Sequence, residues 1–175
     1  MGSTGIVRRI DELGRIVIPK ELRRTMRISV GDEMEITVSG DDITLKKYSV
    51  FESALSAVKS VVKLLTVETG ADAVLVDTSK VVVSEGVDKK KYGGALVGGE
   101  LLKAVRDRKP IILHGDSLAG VFENVKCDSN YLVFEPIVSQ GDGYGGIVLL
   151  LKTLPGDVSR AYLKFCAQMI SECIR

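Results

Sequence analysis

The residues of this sequence best suited to binding chemistry are seven cations within its first 27 positions. Six of them are arginines, and the set is Arg8, Arg9, Arg15, Lys20, Arg23, Arg24 and Arg27. A planar guanidinium holds a phosphate through two parallel hydrogen bonds and can also read the edge of a guanine base. The cluster therefore predicts a binding site for a polyanion, and nucleic acid is the polyanion that fits it best.

The acidic residues are kept apart from this cluster. Residues 1–27 carry seven basic against three acidic side chains, whereas residues 28–52 carry two basic against six acidic ones, in a chain whose formal net charge is only +1. Such segregation favours a localised anion-binding face over a generally adhesive surface. The alternative is a solvated basic helix that is partly neutralised by Asp11, Glu12 and Glu21.

A short helix is predicted to display the second half of the cluster. It begins at Pro19, whose missing N–H costs nothing in the first turn, and it runs to about Met26. At about 100° per residue, Leu22 and Met26 fall on one face of the helix. The opposite face carries Lys20, Arg23, Arg24 and Arg27. We therefore expect the apolar face to pack on neighbouring strands while the cations face solvent.

Strands surround this helix in the predicted N-terminal domain, residues 1–49. Residues 4–10 and 15–18 are predicted strands on either side of a turn, and residues 34–38 and 43–47 form a predicted hairpin. About 48 residues without a disulfide or metal is near the lower limit for a solitary hydrophobic core. We therefore predict an obligate dimer in this domain.

The remainder, residues 50–175, is predicted to be an α+β domain. A helix to about residue 69 and a last helix over 157–174 flank a sheet of roughly five strands, at 73–77, 81–84, 111–114, 131–139 and 147–152, with another helix at 96–106. Both flanking helices have broad apolar faces. These faces lie either on the domain itself or in a bundle with a second copy.

No combination of residues in the chain predicts catalysis or metal binding. Gly141, Gly143 and Gly146 have the spacing of a dinucleotide fingerprint, but an apolar strand follows them where a helix is required, so a hairpin loop is expected. His114 is predicted to be a surface residue at a strand end, and the run 89–92 a solvated loop. Three cysteines without C-x-x-C spacing indicate thiols in a reducing compartment, with Cys166 and Cys173 buried. No apolar run is long enough to span a membrane.

The N-terminal residues resemble a known family. "TGIVRRIDELGRIVIPKELRRTMRI" followed by "GDEMEITVSGDDITLKKY" is similar to the DNA-binding domain of the AbrB/SpoVT transition-state regulators, over residues 3–48. The most specific part is "GRIVIPKELR", residues 14–23. The rest of the chain resembles the family members that carry an additional GAF-like domain, mainly through its order of elements and "YLVFEPIVSQGDGYGGIVLLLK".

The resemblance implies a fold. It implies a mostly-β, swapped-hairpin dimeric barrel with one short helix, followed by a C-terminal α+β GAF-like domain. Residues 1–49 would then be an AbrB-like DNA-binding and dimerisation domain, and residues 50–175 a GAF-like regulatory or oligomerisation domain.

The resemblance also implies a function: transcription regulation in sporulation or the transition phase, at the nucleoid in the cytoplasm. Double-stranded DNA is the implied partner. The implied DNA contacts are Arg8, Arg15, Arg23 and Arg24, with Arg9 at a matching basic position and Lys20 beside the set. The GAF-like helices would join two dimers into a homotetramer.

The C-terminal domain and the function each allow an alternative. No cofactor is expected, but GAF-like domains often hold a small molecule, which here would lie near residues 86–98 and 114–131. The alternative function is a ligand-sensing or antitoxin-like protein-interaction module that does not bind DNA specifically.

Overall fold

The structure is a computed structural model that describes residues 5–175, and the chain divides into two compact units. Tyr48 ends the first unit and Ser49 begins the second.

The first unit contains one short helix and one hairpin. The helix is α1 (Lys20–Thr25), and the strands are β1 (Met34–Ser39) and β2 (Asp42–Lys47). β1 and β2 pair antiparallel with Ser39 opposite Asp42, so the connection has only two residues, the first of which is Gly40 at φ 60°. A φ of this sign is open to glycine at little steric cost, which explains its position in this turn.

Two predicted strands of the first unit are absent from the described chain. Residues 5–10 and 15–18 belong to no ladder of the described structure, and Thr4 lies outside it. The turn between them is present, because the Asp11 N–H donates to the Arg15 carbonyl at 3.1 Å. A β-strand is defined by its hydrogen bonds to an adjacent strand. The described single chain offers no adjacent strand to these segments.

The first unit also has no hydrophobic interior. Pro19 is its only buried residue among residues 5–48. Ile36 and Val38 on β1 lie opposite Leu45 and Ile43 on β2, so the four side chains share one face of the hairpin. Ile36, Val38 and Ile43 are 66–73% exposed. A two-stranded hairpin with an open apolar face is marginally stable by itself.

The second unit is a three-layer α+β structure built around an antiparallel sheet. Its elements are α2 (Val50–Ser53), α3 (Leu55–Thr69), β3 (Asp72–Val76), β4 (Val81–Glu85), α4 (Lys89–Tyr92), β5 (Leu96–Val97), α5 (Gly99–Asp107), β6 (Ile111–His114), a 3-10 helix (Gly115–Leu118), β7 (Phe122–Glu123), β8 (Tyr131–Ser139), β9 (Asp142–Leu151) and α6 (Asp157–Cys173). The main sheet has the strand order β4-β3-β9-β8-β6, and β5 and β7 form a separate small sheet. The prediction of an α+β domain with a five-stranded sheet is confirmed.

Both faces of the main sheet are covered. Because side chains alternate along a strand, Ala73 and Leu75 join the core beneath α3 and α6, whereas Val74 and Val76 join the core beneath α4 and α5. The second core also contains the tilted ring pair Tyr92 and Phe122, with centroids 5.2 Å apart.

The helices α3 and α6 lie on the sheet but keep apolar residues outside. Leu163 and Cys166 of α6 are buried, whereas Phe165 and Val158 are exposed. The prediction that Cys173 is buried is wrong, because it lies on the exposed side near the helix C-terminus. Among the described residues no helix combines the length and the apolar content of a membrane span.

The glycine-rich segment is a hairpin, as predicted, but much of it is strand. Gln140 and Gly141 form the two-residue turn at φ 51° and 89°, and β9 already begins at Asp142. At Gly145, φ is 142° and a Cβ would lie 2.0 Å from the carbonyl oxygen of Val76. Glycine is therefore required here by close backbone approach between β9 and β3, not by a bound nucleotide.

Candidate nucleic-acid interface

The basic helix α1 begins and ends through backbone contacts. Pro19 lies just before the first helical residue and accepts a hydrogen bond from the Arg23 N–H at 3.0 Å. At the other end, the Ile28 N–H donates to the Arg23 carbonyl at 2.7 Å and the Arg27 N–H to the Arg24 carbonyl at 3.2 Å. This is the Schellman pattern, with Arg27 in the left-handed position at φ 53°. The helix therefore stops directly after its cationic residues.

A partly buried network, called the Lys47 clamp after its central residue, fixes the C-terminal end of α1 to the hairpin. The Lys47 ammonium on β2 donates to the Arg27 carbonyl at 3.2 Å and forms an ion pair with the Asp32 carboxylate at 2.9 Å. The same carboxylate accepts the Ser29 N–H at 2.7 Å. Lys47 and Asp32 are both half-buried, so this network is better shielded from water than the surface pairs of the unit. The sequence did not reveal the clamp, since its members are distant along the chain.

Arg15 is held by the turn that precedes it. Its backbone N–H and its Nε each donate to the Asp11 carboxylate at 2.8 Å, and the Leu13 N–H donates to the same group at 3.0 Å. Both contacts lower the pKa of Asp11 below its usual range; the Arg15 N–H has the largest effect and the guanidinium the second largest. The Asp11 carboxylate thus stays ionised and orients Arg15. The rest of the Arg15 side chain is exposed, with 69% of its surface accessible.

The remaining predicted contacts have no acidic partner. Within residues 5–175, none of the following makes an ion pair, and all are exposed: Arg8, Arg9, Lys20, Arg23 and Arg24. On the hairpin, in contrast, Lys46 pairs with Glu35 at 2.9 Å and Lys47 with Asp32. Of the predicted DNA contacts that the structure describes, Arg15 is the one with an acidic partner, and it lies before the helix.

The structure brings some of these cations together. Lys20, Arg23 and Arg24 lie on one helix at spacings of three and four, which places them side by side. Arg8 and Arg9 lie in the segment that pairs with no strand in the single chain. The DNA contacts predicted at all these positions remain predictions.

The expected packing of the apolar face of α1 is incomplete within one chain. Leu22 is 38% exposed and Met26 47% exposed. The predicted strands that would cover them further form no ladder in the described structure.

Three sequence predictions about metal binding, His114 and the run 89–92 can be compared with the described residues. In the described part of the chain no three His, Cys, Asp or Glu residues are arranged to hold a metal ion. His114 ends β6 and is exposed, as predicted. The run 89–92 is the short helix α4, not a solvated loop, because Tyr92 is buried and Lys91 forms an ion pair with Asp128.

Two family models match the chain. Residues 7–52 match the model described as antidote-toxin recognition MazE, bacterial antitoxin, and residues 55–172 match the model described as stage V sporulation protein T C-terminal, transcription factor. The second match covers more than half of the chain.

Two curated proteins of Bacillus subtilis (strain 168) are similar in sequence. Stage V sporulation protein T is 37% identical over 154 residues, covering 87% of this chain and 86% of that protein. Transition state regulatory protein AbrB is 62% identical over 48 residues, covering 27% of this chain and 50% of that protein. The identity with AbrB is therefore higher than that with stage V sporulation protein T, but it extends over fewer residues.

The second unit has the fold of GAF domains. The GAF domain of an Acinetobacter phosphoenolpyruvate-protein phosphotransferase superposes with a TM-score of 0.55 at 12% identity, covering 89% of each chain. At this identity the likeness concerns the fold alone, and it agrees with the α+β architecture described above.

Proposed function

The chain belongs to the family of stage V sporulation protein T, a family of transcription factors, and we propose from this that it regulates sporulation or transition-phase genes by binding duplex DNA through its first unit. The observation that carries the proposal is the set of exposed cations without acidic partners on and before α1. In a folded protein such cations are available to phosphate, whereas paired ones must first lose a partner.

The proposed DNA contacts are those predicted from the sequence: Arg8, Arg9, Arg15, Lys20, Arg23 and Arg24. Arginine contributes five of the six, which suits bidentate contacts to phosphate and base edges. The Asp11 contact orients Arg15, and the Schellman turn together with the Lys47 clamp holds Arg23 and Arg24 at a defined helix end. Preorganised cations lose less conformational entropy on binding than mobile ones.

The partner that completes the first unit is proposed to be a second copy of the chain. Three features of the first unit are incomplete within the described single chain. These are the open apolar face of the hairpin, the partly exposed Leu22 and Met26, and the segments 5–10 and 15–18 without a strand partner. An interleaved barrel in which two chains exchange these segments would satisfy all three. It would also double the cations to about ten candidate phosphate contacts, enough for strongly salt-dependent binding.

The second unit is proposed to join two such dimers into a tetramer. The outer face of α6 presents an apolar stripe of Val158, Tyr162, Phe165 and Met169, and α3 adds exposed Leu64 and Val67. Two such faces meeting across a two-fold axis would bury these side chains. A chain with two different dimer contacts closes into a tetramer.

The alternative function, a ligand-sensing or antitoxin-like module without specific DNA binding, is not favoured. The antitoxin model covers only residues 7–52, whereas the transcription-factor model covers residues 55–172. We further propose that the chain is not an enzyme, and that it acts at the nucleoid in the cytoplasm.

Fluorescence anisotropy with a labelled mixed-sequence duplex and the full-length chain tests the DNA proposal. Affinity should fall at least about a hundredfold between about 50 and 200 mM salt, because several phosphate contacts release counterions. The double variant Arg23→Ala/Arg24→Ala should bind more weakly and show a shallower salt slope, by about one unit per lost contact.

Lys103→Ala is the matched control, since Lys103 is an exposed lysine of α5 outside the basic helix. It should bind DNA like the parent chain. Unchanged binding by the double variant, or affinity that persists at about 0.3 M salt, would instead favour an acidic protein partner.

A further inference from the structure

A cavity lies where three strands of the main sheet meet at one end. β6 ends there at His114, β8 begins at Tyr131, and β9 ends at Leu151, and these residues are cross-strand neighbours. The cavity has a volume of about 860 Å³, and its walls include His114, Asp116, Lys126, Cys127, Tyr131 and Lys152. This volume is in the range of small-molecule sites.

This space adjoins the packed core beneath α4 and α5, since Leu118 belongs to that core and Val125 packs against it. Beneath α4 and α5 the core is filled by fully buried side chains such as Tyr92, Phe122 and Leu101. The walls of the cavity come instead from loops 114–120 and 125–131 and from residues 152–154. The predicted contribution of residues 86–98 to this cavity is absent.

The charge of the wall is positive. Lys126 and Lys152 line the cavity, and Asp116 is the one carboxylate among its lining residues. Lys126 makes no ion pair with any described residue, and Lys152 donates to the Asp128 backbone carbonyl at 2.6 Å. A backbone carbonyl carries no net charge, so this hydrogen bond does not neutralise the Lys152 ammonium.

Asp128 is a further carboxylate, next to the lining residue Cys127, and three lysines act on it. Lys91 of α4 forms an ion pair with it from outside the cavity, and this contact is the main reason that the pKa of Asp128 lies below its usual range; the charges of Lys126 and Lys152 lower the same pKa further. One carboxylate is thus shared among three ammonium groups, so the charge around the cavity remains positive.

The two lysine-bearing segments are fixed to one another. The Asn130 amide nitrogen donates to the Lys152 carbonyl at 2.7 Å, and the Asn130 N–H donates to the Leu151 carbonyl at 2.9 Å. Together with the contact from Lys152 to Asp128, these bonds hold loop 126–130 against the end of β9. The ammonium groups are thus attached to a preorganised frame, which lowers the entropic cost of binding.

The wall is not only polar. His114 and Tyr131 are cross-strand partners whose rings lie 6.1 Å apart at 45°, and Leu118, Val125 and Leu154 also line the space. Flat rings and aliphatic groups beside cations suit a ligand with both an organic body and a negative charge. We propose that this cavity binds a small organic anion, a carboxylate or a phosphate monoester, through Lys126 and Lys152.

Cys127 provides a direct readout, because its thiol lines the cavity and is half-buried. The experiment uses the full-length chain with Cys173→Ser, so that alkylation by iodoacetamide reports mainly on Cys127; Cys166 is buried. Ribose 5-phosphate, citrate and inorganic phosphate are titrated at constant ionic strength, with neutral ribose as the control. An organic anion should slow alkylation of Cys127 and raise the melting temperature, and ribose should do neither.

Substitutions then identify the site. Lys126→Gln and Lys152→Gln should each weaken protection by about tenfold or more, the effect of losing one charged contact. Lys90→Gln, at an exposed lysine of α4 outside the cavity wall, should leave protection unchanged. Lys126 makes no hydrogen bond to a described residue, so its variant keeps the fold even if Lys152→Gln weakens the loop.

The outcomes separate the possible ligand classes. Protection by ribose 5-phosphate or by citrate supports the proposal and distinguishes a phosphate from a carboxylate ligand. Protection by inorganic phosphate alone, or equal protection of the Lys126→Gln variant, would overturn it. Loss of DNA affinity in Lys126→Gln as large as in Arg23→Ala would also overturn it, because the lysines would then be DNA contacts.

Discussion

Arg15 contacts the Asp11 carboxylate twice, through its backbone N–H and through its guanidinium Nε, both at 2.8 Å. The first contact shapes the turn and the second orients the side chain. Asp11 therefore positions the Arg15 side chain in addition to balancing part of its charge.

The Asp11 carboxyl should titrate below its ordinary pKa of 3.8, with the Arg15 N–H as the largest cause and the guanidinium as the second. Its contribution to stability is fully present above the ordinary pKa and is lost as the pH falls through the lowered value. Carbon-13 NMR of the carboxyl measures this directly. In Arg15→Ala the pKa should rise but stay below 3.8, since the backbone donor remains; a value at or above 3.8 in the parent chain would contradict the contact.

Lys47→Met should lower the free energy of local unfolding at the end of α1 by about 1–3 kcal/mol, because it leaves the half-buried Asp32 carboxylate without its cation. Faster amide hydrogen exchange at Arg23 to Arg27 would report the change. Lys46→Met is the matched control on the adjacent residue, whose ion pair with Glu35 is exposed and should contribute less than about 1 kcal/mol. Equal effects of the two variants would rule out the clamp.

Gly146→Ala should destabilise the second unit by about 3 kcal/mol or more, since its Cβ would lie 2.2 Å from the Phe134 ring and 2.5 Å from the Glu135 carbonyl oxygen. Gly93→Ala should change stability by less than about 1 kcal/mol, because φ there is −55° and the nearest atom is 3.6 Å away. Urea denaturation of the full-length chain compares the two. Similar midpoints would mean that β9 does not approach Phe134 this closely.

Phe165→Glu should reduce the assembly from four chains to two while leaving the fold intact, because Phe165 is 56% exposed in the single chain. A glutamate at this position would place an unpaired charge in the proposed helix contact. Light scattering after size-exclusion chromatography gives the mass. Lys164→Glu changes the charge of the same helix more strongly but lies outside the stripe, so it should remain tetrameric; a parent chain that is dimeric would refute the proposed contact.

Periodicity predicted most of the second unit correctly. The helices α3 and α6 and the strands β3, β4, β6 and β8 were recognisable from apolar spacing, since each is long or apolar enough for its period to show. The start of β9 was missed because its glycines resemble a loop in sequence and are required by close packing only in the fold. α4 was missed because one turn of three lysines and a tyrosine has no period.

The first unit was predictable in composition but not in pairing. The positions of the cations, the turn at Asp11 and the hairpin were evident from residue types, and the family assignment from them is confirmed. Strand pairing at 5–10 and 15–18 could not appear within one chain, because a ladder needs a neighbour. The Lys47 clamp and the Lys91–Asp128 pair join positions 15 to 37 residues apart, and sequence spacing carries no signal for such contacts.

A unit that keeps Ile36, Val38 and Ile43 on its surface is only marginally stable by itself. If a second copy supplies its interior, as proposed, the amount of DNA-competent protein rises with the square of the chain concentration at low expression. The abundance of the chain then acts as a regulatory input, and a modest change in synthesis or proteolysis is converted into a steeper change in promoter occupancy.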